Sequence, residues 1–298
     1  MMTALQGYLE ERRRLVEEAL DRFLPPVDTY PRPIHEAMRY SVFAGGKRLR
    51  PILAIAGAEA AGGHAEDVLP VACALECIHT YSLIHDDLPS MDDDDIRRGK
   101  PTCHKVYGEA LAILAGDALL TSAFALLSEE GLAKRLGAER LSQLIQEVAR
   151  AAGSLGMVGG QVVDILSEGK EVDRGTLLFL HTHKTGALIR TSVLSGGLVA
   201  KASQEELEAL SRYGERIGLA FQIVDDLLDV TGVEEEIGKP VGSDRKKKKA
   251  TYPKLYGLEE SRRYVELFTA EAKEALSPFG DRAWTLRSIA DYIASRRH

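Results

Sequence analysis

Apolar residues recur at three- and four-residue intervals through most of the chain. Leu, Ile, Val and Ala follow this spacing in three long segments, 141–152, 205–230 and 261–276, and in the first 24 residues they alternate with Glu and Arg. This period is that of an amphipathic helix, and alternating strand patterns are scarce. The pattern predicts an all-α protein, a large helical bundle that can carry a polar site between facing helices.

One stretch breaks the helical pattern. From about residue 231 to 253 the chain has no periodicity and carries Gly232, Gly238, Pro240, Gly242 and Pro253. Irregular stretches of this length in compact domains are usually functional or disordered. We interpret it as a lid over a functional site.

Composition narrows the class of protein. The 298 residues are 45% hydrophobic, with no linker and no repeat of fixed period, which favours a single domain over residues 1–298. A net charge of −7 argues against a general nucleic-acid binder.

The three cysteines and the N-terminal residues indicate in which cellular compartment the protein is expected. Cys73, Cys77 and Cys103 are odd in number and lack metal-ligand spacing, as expected for reduced thiols in a cytoplasmic protein. Cys73 and Cys77, four apart, are interpreted as small core residues. The N-terminus has no apolar stretch of signal-peptide or membrane-spanning length, so neither secretion nor membrane insertion is expected.

Two aspartate clusters carry the strongest chemical signal. Carboxylates about 5 Å apart repel by roughly 3 kcal/mol at an effective dielectric constant near 20, so clusters of them call for cations. Oxygen-only sites favour hard ions, and Mg²⁺ prefers one or two carboxylates together with substrate phosphate oxygens. The clusters therefore predict Mg²⁺-assisted chemistry on a diphosphate. Their members are Asp86, Asp87 and Asp92 in the first cluster, and Asp225, Asp226 and Asp229 in the second.

Helical geometry relates the members of each cluster. Asp225 and Asp229 share one helical face with Gln222, although a solvated acidic face is an open alternative. Pro89 ends or bends the first helix, so that Asp92 can fold back towards Asp86. The alternative for the first cluster is a capping, water-facing turn, and we interpret the acidic run 93–95 in this way.

Basic groups accompany both clusters. Arg offers a planar fork and Lys a point charge to phosphate, although each group alone is also consistent with solvated surface. His79 lies seven residues before Asp86, on the same helical face, and can donate a hydrogen bond into the site, with a satisfied core histidine as the alternative. The basic run 245–249 lies in the predicted lid, where phosphate closure explains it more simply than nucleic acid or membrane binding. The other candidate cations are Lys47, Arg48 and Arg50 beside the Gly45-Gly46 pair, then Arg97 and Arg98, and finally Lys184 next to Thr185.

These motifs together resemble one enzyme family. The segments GGKRLRP, DDLPSMDDDDIRRGKPT, GGQVVD, KTG, FQIVDDLLD and GKPVGSD…KATYP have the order and spacing of the trans-isoprenyl diphosphate synthases, over about residues 30 to 257. The two residues inserted before Asp92 resemble the bacterial farnesyl diphosphate synthases and the plant geranylgeranyl enzymes. The resemblance implies an all-α homodimer with a central cavity. There an allylic diphosphate would be elongated by isopentenyl diphosphate, with several Mg²⁺ ions, or Mn²⁺, as cofactors.

The resemblance also implies residue roles. Asp86, Asp92 and Asp225 would ligate the metal ions, with Asp87, Asp226 and Asp229 assisting. Lys249, Arg296 and Arg297 are weaker candidates for closure. Contacts to the allylic diphosphate would come from Arg97, Lys184, Thr185, Gln222 and Lys239, and contacts to isopentenyl diphosphate from Lys47, Arg50, His79 and Arg98.

Product length depends on the residues just before Asp86. Ser82 lies within about 40° of Asp86 around the helix, whereas Tyr81 lies about 140° away, so helical geometry alone selects Ser82. The family instead associates a bulky aromatic at the position of Tyr81 with a fifteen-carbon product. We therefore expect (2E,6E)-farnesyl diphosphate, with Tyr81 as an ordinary packing aromatic as the alternative.

Three other functions stay open at this point. A geranylgeranyl or longer-chain synthase shares every phosphate-binding motif. A terpene cyclase also has an aspartate-rich motif, but it does not need the GGKRLRP segment or the Arg97-Arg98 pair. A non-catalytic partner subunit is expected to have lost an aspartate or lysine, and this chain retains all the matched positions.

Overall fold

The computed structural model describes residues 2–231 and 250–296 as helices joined mostly by short turns. A two-stranded antiparallel ribbon, β1 (Ile96–Arg97) and β2 (Lys100–Pro101), follows the fourth helix. The first seven helices are α1 (Met2–Phe23), α2 (Arg32–Val42), α3 (Leu49–Ala60), α4 (Ala65–Asp86), α5 (Cys103–Tyr107), α6 (Glu109–Leu127) and α7 (Glu130–Ala152).

Within its described residues, the second half of the chain includes one π-helical segment, His181–Gly186, and one 3₁₀ segment, Ser277–Ala283. The prediction of an all-α protein is confirmed, and the three long segments with helical spacing are parts of α7, α11 and α13. The α-helices of this half are α8 (Met157–Ser167), α9 (Arg174–Leu180), α10 (Ala187–Val199), α11 (Gln204–Thr231), α12 (Tyr252–Tyr256), α13 (Leu258–Ala275) and α14 (Trp284–Ala294).

Helix α4 is a central element of the core. It is apolar on all sides, as expected for a buried helix, and it packs against α1, α3, α6 and α10. Glu66 and Asp67 lie in its first turn, where their negative charges stabilise the helix by interacting with the positive end of its dipole. Cys73 and Cys77 are buried free thiols within it, as predicted. The C-terminus of this rigid helix carries Asp86.

Two helices, α4 and α6, are long and apolar enough to cross a membrane by length and composition. Of the apolar window in α4, 72% is buried inside the protein, which identifies it as a core helix. Only 33% of the window in α6 is buried. Helix α6 thus presents an apolar face outward.

Helix α11 carries the second aspartate cluster at its C-terminal end. It packs against α10 and α13 with the buried residues Tyr213, Ile217 and Ile223. The Tyr213 hydroxyl donates to the Leu286 carbonyl at 2.7 Å, which ties α11 to α14. This packing fixes the direction in which the acidic turn of α11 points.

Candidate functional site

The first aspartate segment folds back on itself, as predicted. Helix α4 ends at Asp86, and Pro89 follows in the turn. The backbone N–H of Asp92 donates to the Asp86 carbonyl at 2.8 Å, and that of Met91 donates to the Leu88 carbonyl at 2.9 Å. Asp92 is therefore returned to the end of α4 beside Asp86.

Asp86 has an unusual electrostatic environment. Burial raises the pKa of its carboxyl to about 6, Lys184 opposes the rise, and the negative charge of Asp92 adds to it. The side-chain amide of Gln161 donates a hydrogen bond to the Asp86 Oδ1. A divalent cation would relieve the repulsion between the two carboxylates, so the donor atoms and charges here fit a hard metal ion.

Asp87 and Arg97 bind each other. Asp87 is only 3% exposed, and the Arg97 guanidinium donates from Nε to its Oδ1 at 2.7 Å, with Nη2 in an ion pair 2.5 Å from the same oxygen. Arg97 also lies 3.4 Å from Asp94. The sequence assigned Asp87 to the metal ions and Arg97 to a diphosphate. In the structure the Asp87 carboxylate holds the Arg97 fork in place, and both assigned roles stay predictions.

A second acidic group lies just beyond the motif. Possible ligand atoms of Asp93, Asp95 and His104 lie within 4.8 Å of one another, with the two aspartates exposed and the histidine buried. Asp95 also forms an ion pair with Lys105 at 2.8 Å. The exposure agrees with the predicted water-facing turn, whereas the sequence analysis did not connect the turn with His104.

Asp225 and Asp226 of the second cluster point to different partners. Asp226 is 3% exposed, and its carboxylate accepts from the Tyr252 backbone N–H at 2.9 Å and from the Gln222 amide at 3.2 Å. Asp225 is half-buried and lies 3.3 Å from the Arg296 guanidinium. Asp229 is half-buried one turn further on. The predicted metal ligand Asp226 is thus a buried structural acceptor, while Asp225 lies nearer the surface.

The π-helical segment carries Lys184 and Thr185. The Lys184 ammonium forms an ion pair with Asp164 of α8 at 2.6 Å. The Thr185 hydroxyl donates to the side-chain carbonyl of Gln222 on α11 at 2.8 Å. Such π-turns occur often at functional sites, and this one directs its side chains to α8 and α11.

The cationic side chains of the loop before α3 have two different roles, one in the core and the other at the candidate site. Arg48 has a left-handed backbone and sends its guanidinium into the core, where it pairs with Glu76 at 2.6 Å and donates to the Val42 carbonyl. Both side chains of the pair are 1% exposed. The sequence counted Arg48 among three site cations, but burial removes it from the site. The basic candidates of this loop are Lys47 and Arg50.

The charge of Asp225 in the second aspartate cluster affects the pKa values of Lys47 and Arg50. Burial lowers the pKa of Lys47, and Arg296 lowers it further while Asp225 opposes the shift. Burial likewise lowers the pKa of Arg50 to about 10, with Asp225 among the groups that oppose it. The cationic loop and the acidic end of α11 therefore face a common region.

His79 lies among arginines. Burial lowers the pKa of its imidazole well below its usual value, and the charges of Arg50 and Arg98 lower it further. The Arg98 guanidinium donates to the carbonyl of Gly45, whose left-handed backbone suits glycine. The predicted group of Arg50, His79 and Arg98 is brought together, with a neutral imidazole.

Tyr81 and Ser82 differ in orientation. Tyr81 is buried and packs edge-on against His85, with ring centroids 5.7 Å apart. Burial raises the pKa of Tyr81 to about 12, and Asp86 contributes. Ser82 donates to the His79 carbonyl of its own helix at 2.9 Å. The bulky side chain next to the motif is therefore that of Tyr81, held by an aromatic neighbour.

Several predicted groups lie outside the described residues. These include most of the predicted lid and the basic run 245–249. The individual candidates are Lys239, Lys249 and Arg297.

Three polar residues of the site have no role predicted from the sequence. Gln161 and Asp164 belong to the GGQVVD segment, which was recognised as a motif but given no role. His181 is buried in the π-helical segment, stacks on Tyr252 with centroids 5.1 Å apart, and lies 3.5 Å from the Asp226 carboxylate. Its only signal in the sequence is its position three residues before Lys184.

The chain is similar to known proteins over nearly its whole length. The profile of the polyprenyl synthetase family matches residues 31–277. A geranylgeranyl diphosphate synthase of Cyanophora paradoxa is 50% identical over 295 residues, which cover 99% of this chain and 97% of that protein. The farnesyl diphosphate synthase of Bacillus subtilis (strain 168) is 44% identical over 298 residues and 100% of both chains. The crystal structure of a FPP/GFPP synthase from Zymomonas mobilis matches with a TM-score of 0.88 and 40% identity, covering 99% of this chain and 100% of that one.

Proposed function

Because this chain belongs to the polyprenyl synthetase family, we propose that it condenses isopentenyl diphosphate head-to-tail with an allylic diphosphate. The observation that carries the proposal is a series of polar contacts from one aspartate cluster to the other. Gln161 and Asp164 of α8 contact Asp86 and Lys184, and the neighbouring Thr185 contacts Gln222, which contacts Asp226. Asp86 and Asp226, 140 positions apart in the sequence, thus flank one polar network.

The cofactor of the proposed reaction is Mg²⁺, with Mn²⁺ as a substitute. Asp86 and Asp92 would hold it from the first cluster and Asp225 from the second, with Asp229 assisting. When bound, the ions would neutralise the diphosphate and so make it a better leaving group. Asp87 and Asp226 support this site through their buried contacts rather than as ligands.

The cationic residues divide between the two substrates. Lys184, paired with Asp164, precedes Thr185, whose hydroxyl is hydrogen-bonded to Gln222, and this group suits the allylic diphosphate. Arg50, His79 and Arg98 form a second set with Lys47, which suits isopentenyl diphosphate. Arg97, fixed by Asp87, and Lys239 complete the allylic set.

The reaction follows from this distribution of charge. Cationic side chains stabilise the negative charge that develops as the allylic C–O bond breaks. The double bond of isopentenyl diphosphate attacks the resulting allylic cation, and loss of a proton restores an alkene, with the departing diphosphate as the proton acceptor. Lys184, Thr185 and Gln222 would stabilise the developing positive charge through polar contacts. Because water would trap the cation, the site has to exclude it.

We propose farnesyl diphosphate as the product, made through geranyl diphosphate. The buried Tyr81 supports it, because a bulky ring beside Asp86 limits the length of chain that fits. Geranylgeranyl diphosphate is the second candidate, since the Cyanophora relative that is 50% identical has that name.

The proposed assembly is a homodimer of single-domain subunits in the cytoplasm. Helix α6 supports it: Ile113 and Leu114 are 43% and 56% exposed on a helix of high mean hydropathy. Helix α8 also exposes Val162 and Leu166. A second copy of the chain would cover these faces without insertion into a membrane.

Incubation with labelled isopentenyl diphosphate, dimethylallyl or geranyl diphosphate and Mg²⁺ tests the proposed function. Chromatography of the dephosphorylated alcohols should give a fifteen-carbon product. A twenty-carbon product would support the second candidate, and no elongation of any starter would refute the proposed activity.

A further inference from the structure

One face of α8 contacts two charged groups of the site. Gln161 and Asp164 are three residues apart, so they lie on the same side of the helix. Gln161 donates to the Asp86 carboxylate, and Asp164 accepts from the Lys184 ammonium at 2.6 Å. A single helix turn thus contacts an acidic group of α4 and a basic group of the π-helical segment.

The backbone of α8 also lies directly against the π-helical segment. A Cβ atom on Gly160 would come within 2.3 Å of the Lys184 backbone nitrogen and 2.6 Å of its Cα. Only glycine permits this approach. Gly160, Gln161 and Asp164 therefore account for the GGQVVD segment, with contacts to the Lys184 backbone, the Asp86 side chain and the Lys184 side chain.

A lysine side chain without a partner does not hold its ammonium group in a fixed position. Its ammonium is carried by a flexible four-carbon stem with several rotatable bonds, and ordering it costs conformational entropy. The Lys184 and Asp164 side chains are 27% and 16% exposed, so their ion pair is shielded from much of the solvent.

We infer that α8 acts as a spacer between two charged groups of the site. Asp164 positions the Lys184 ammonium and Gln161 positions the Asp86 carboxylate, so that both charges face one diphosphate. This inference rests on the proposed function. Asp164 and Gln161 are positioning residues, because they act through Lys184 and Asp86 rather than on the substrate. The site thereby gains a fixed separation between an acidic and a basic group from elements distant in sequence.

Substrate kinetics distinguish this role from a structural one. We expect Asp164→Ala to lower kcat/KM for the allylic diphosphate about tenfold, as for the loss of a hydrogen bond to a charged group, with the KM for isopentenyl diphosphate within twofold of wild type. For Asp164→Asn we expect a kcat/KM between those of wild type and Asp164→Ala, because the amide oxygen of asparagine still accepts a hydrogen bond from Lys184. The matched control is Asp173→Asn, which removes a carboxylate at the start of α9 but keeps a capping side chain and should change neither constant.

A double-mutant cycle tests whether Asp164 acts through Lys184. If it does, Asp164→Ala added to Lys184→Ala should cause less than a twofold further loss. A full tenfold further loss would overturn the inference, because Asp164 would then act independently of the lysine. Circular dichroism and the melting temperature of each variant identify any variant that fails to fold, and for such a variant Asp164→Asn replaces alanine in the cycle.

A binding measurement without turnover completes the test. Calorimetric titration of inorganic pyrophosphate in the presence of Mg²⁺ should show about tenfold weaker binding for both Asp164→Ala and Gln161→Ala, and unchanged binding for Asp173→Asn. Wild-type affinity in the two α8 variants would overturn the inference. Absence of elongation by the wild-type protein would instead refute the proposed function, so the two failures are distinguishable.

Discussion

The carboxylate of Asp226 accepts a hydrogen bond from the backbone N–H of Tyr252 at 2.9 Å, although 26 positions separate the two residues. This bond ties the acidic turn of α11 to the first residue of α12. Asp225, the adjacent residue, is half-buried and faces Arg296 instead. The first cluster repeats the arrangement, with Asp87 buried against Arg97 and Asp86 more accessible. In both clusters the second aspartate anchors the backbone or a cation, and the first is the one that we propose as a metal ligand.

The Asp225 and Asp226 pair makes this division testable. Asp226→Ala should lower the free energy of unfolding by about 1.5–3 kcal/mol, because it leaves a buried N–H without its charged acceptor. Asp225→Ala should change stability by less than about 0.5 kcal/mol, as for a substitution near the surface. Urea unfolding of both variants measures the difference. Equal losses in the two variants would contradict the assignment of separate roles.

The buried ion pair of Arg48 and Glu76 predicts a large effect on stability. Glu76→Gln should destabilise the protein by about 3 kcal/mol, because it removes the buried carboxylate that pairs with Arg48 and leaves only the more exposed Glu17, at 3.6 Å, to balance that charge. Replacing both residues with Met should recover most of this loss, since apolar residues of similar volume pack well in such sites. Lys47→Gln on the same loop is the control and should leave the melting temperature unchanged. A Glu76→Gln variant as stable as wild type would show that the pair is not buried.

His181 predicts acid sensitivity. Burial lowers the pKa of its imidazole from 6.5 to about 3, so the unfolded state binds a proton at a pH where the folded state does not. Its contribution to stability is therefore complete above pH 6.5 and is lost as the pH falls towards 3, by at most about 1.4 kcal/mol per pH unit.

Unfolding measured from pH 7 to 4.5 in wild type and His181→Gln tests this prediction. The wild-type protein should lose about 1–3 kcal/mol more than the variant over this range. His183→Gln, two residues further in the same π-helical segment and partly exposed, should behave as wild type. Parallel pH profiles for wild type and His181→Gln would argue against a buried neutral imidazole.

Tyr81 predicts the length of the product. Tyr81→Ala should shift the main product from fifteen carbons to twenty or more, because removal of the ring opens the space beside Asp86. Ser82→Ala is the matched control and should leave the product unchanged, since its hydroxyl is bonded within its own helix. Chromatography of the alcohols measures both. An unchanged product distribution in Tyr81→Ala would identify the ring as ordinary packing.

The sequence predicts the helical fold and the return of Asp92 because local rules govern both. Apolar spacing sets the helices, and Pro89 cannot continue α4, so the chain turns back within six residues. The distinction between Lys47, Arg50 and Arg48 is not local. Arg48 leaves the site because its left-handed backbone directs it to Glu76, 28 positions away. No spacing rule encodes that partner.

The π-helical segment and the role of α8 likewise cannot be predicted from the sequence. The residues around Lys184 have the spacing of a continuous helix, whereas the structure has a wider turn over 181–186 that lies directly against Gly160. Gln161 and Asp164 could be recognised as part of a motif, but their partners lie on other elements. Tertiary contacts, rather than composition, give these residues their roles.

The central claim is that carboxylates from both aspartate clusters bind one diphosphate through divalent ions. Calorimetric titration of inorganic pyrophosphate, with and without Mg²⁺, into wild type, Asp86→Ala and Asp225→Ala tests it most directly. The account predicts Mg²⁺-dependent binding in wild type and its loss in each single variant, with helical content unchanged. Binding as tight as wild type in either variant would show that one cluster suffices and would contradict the shared site.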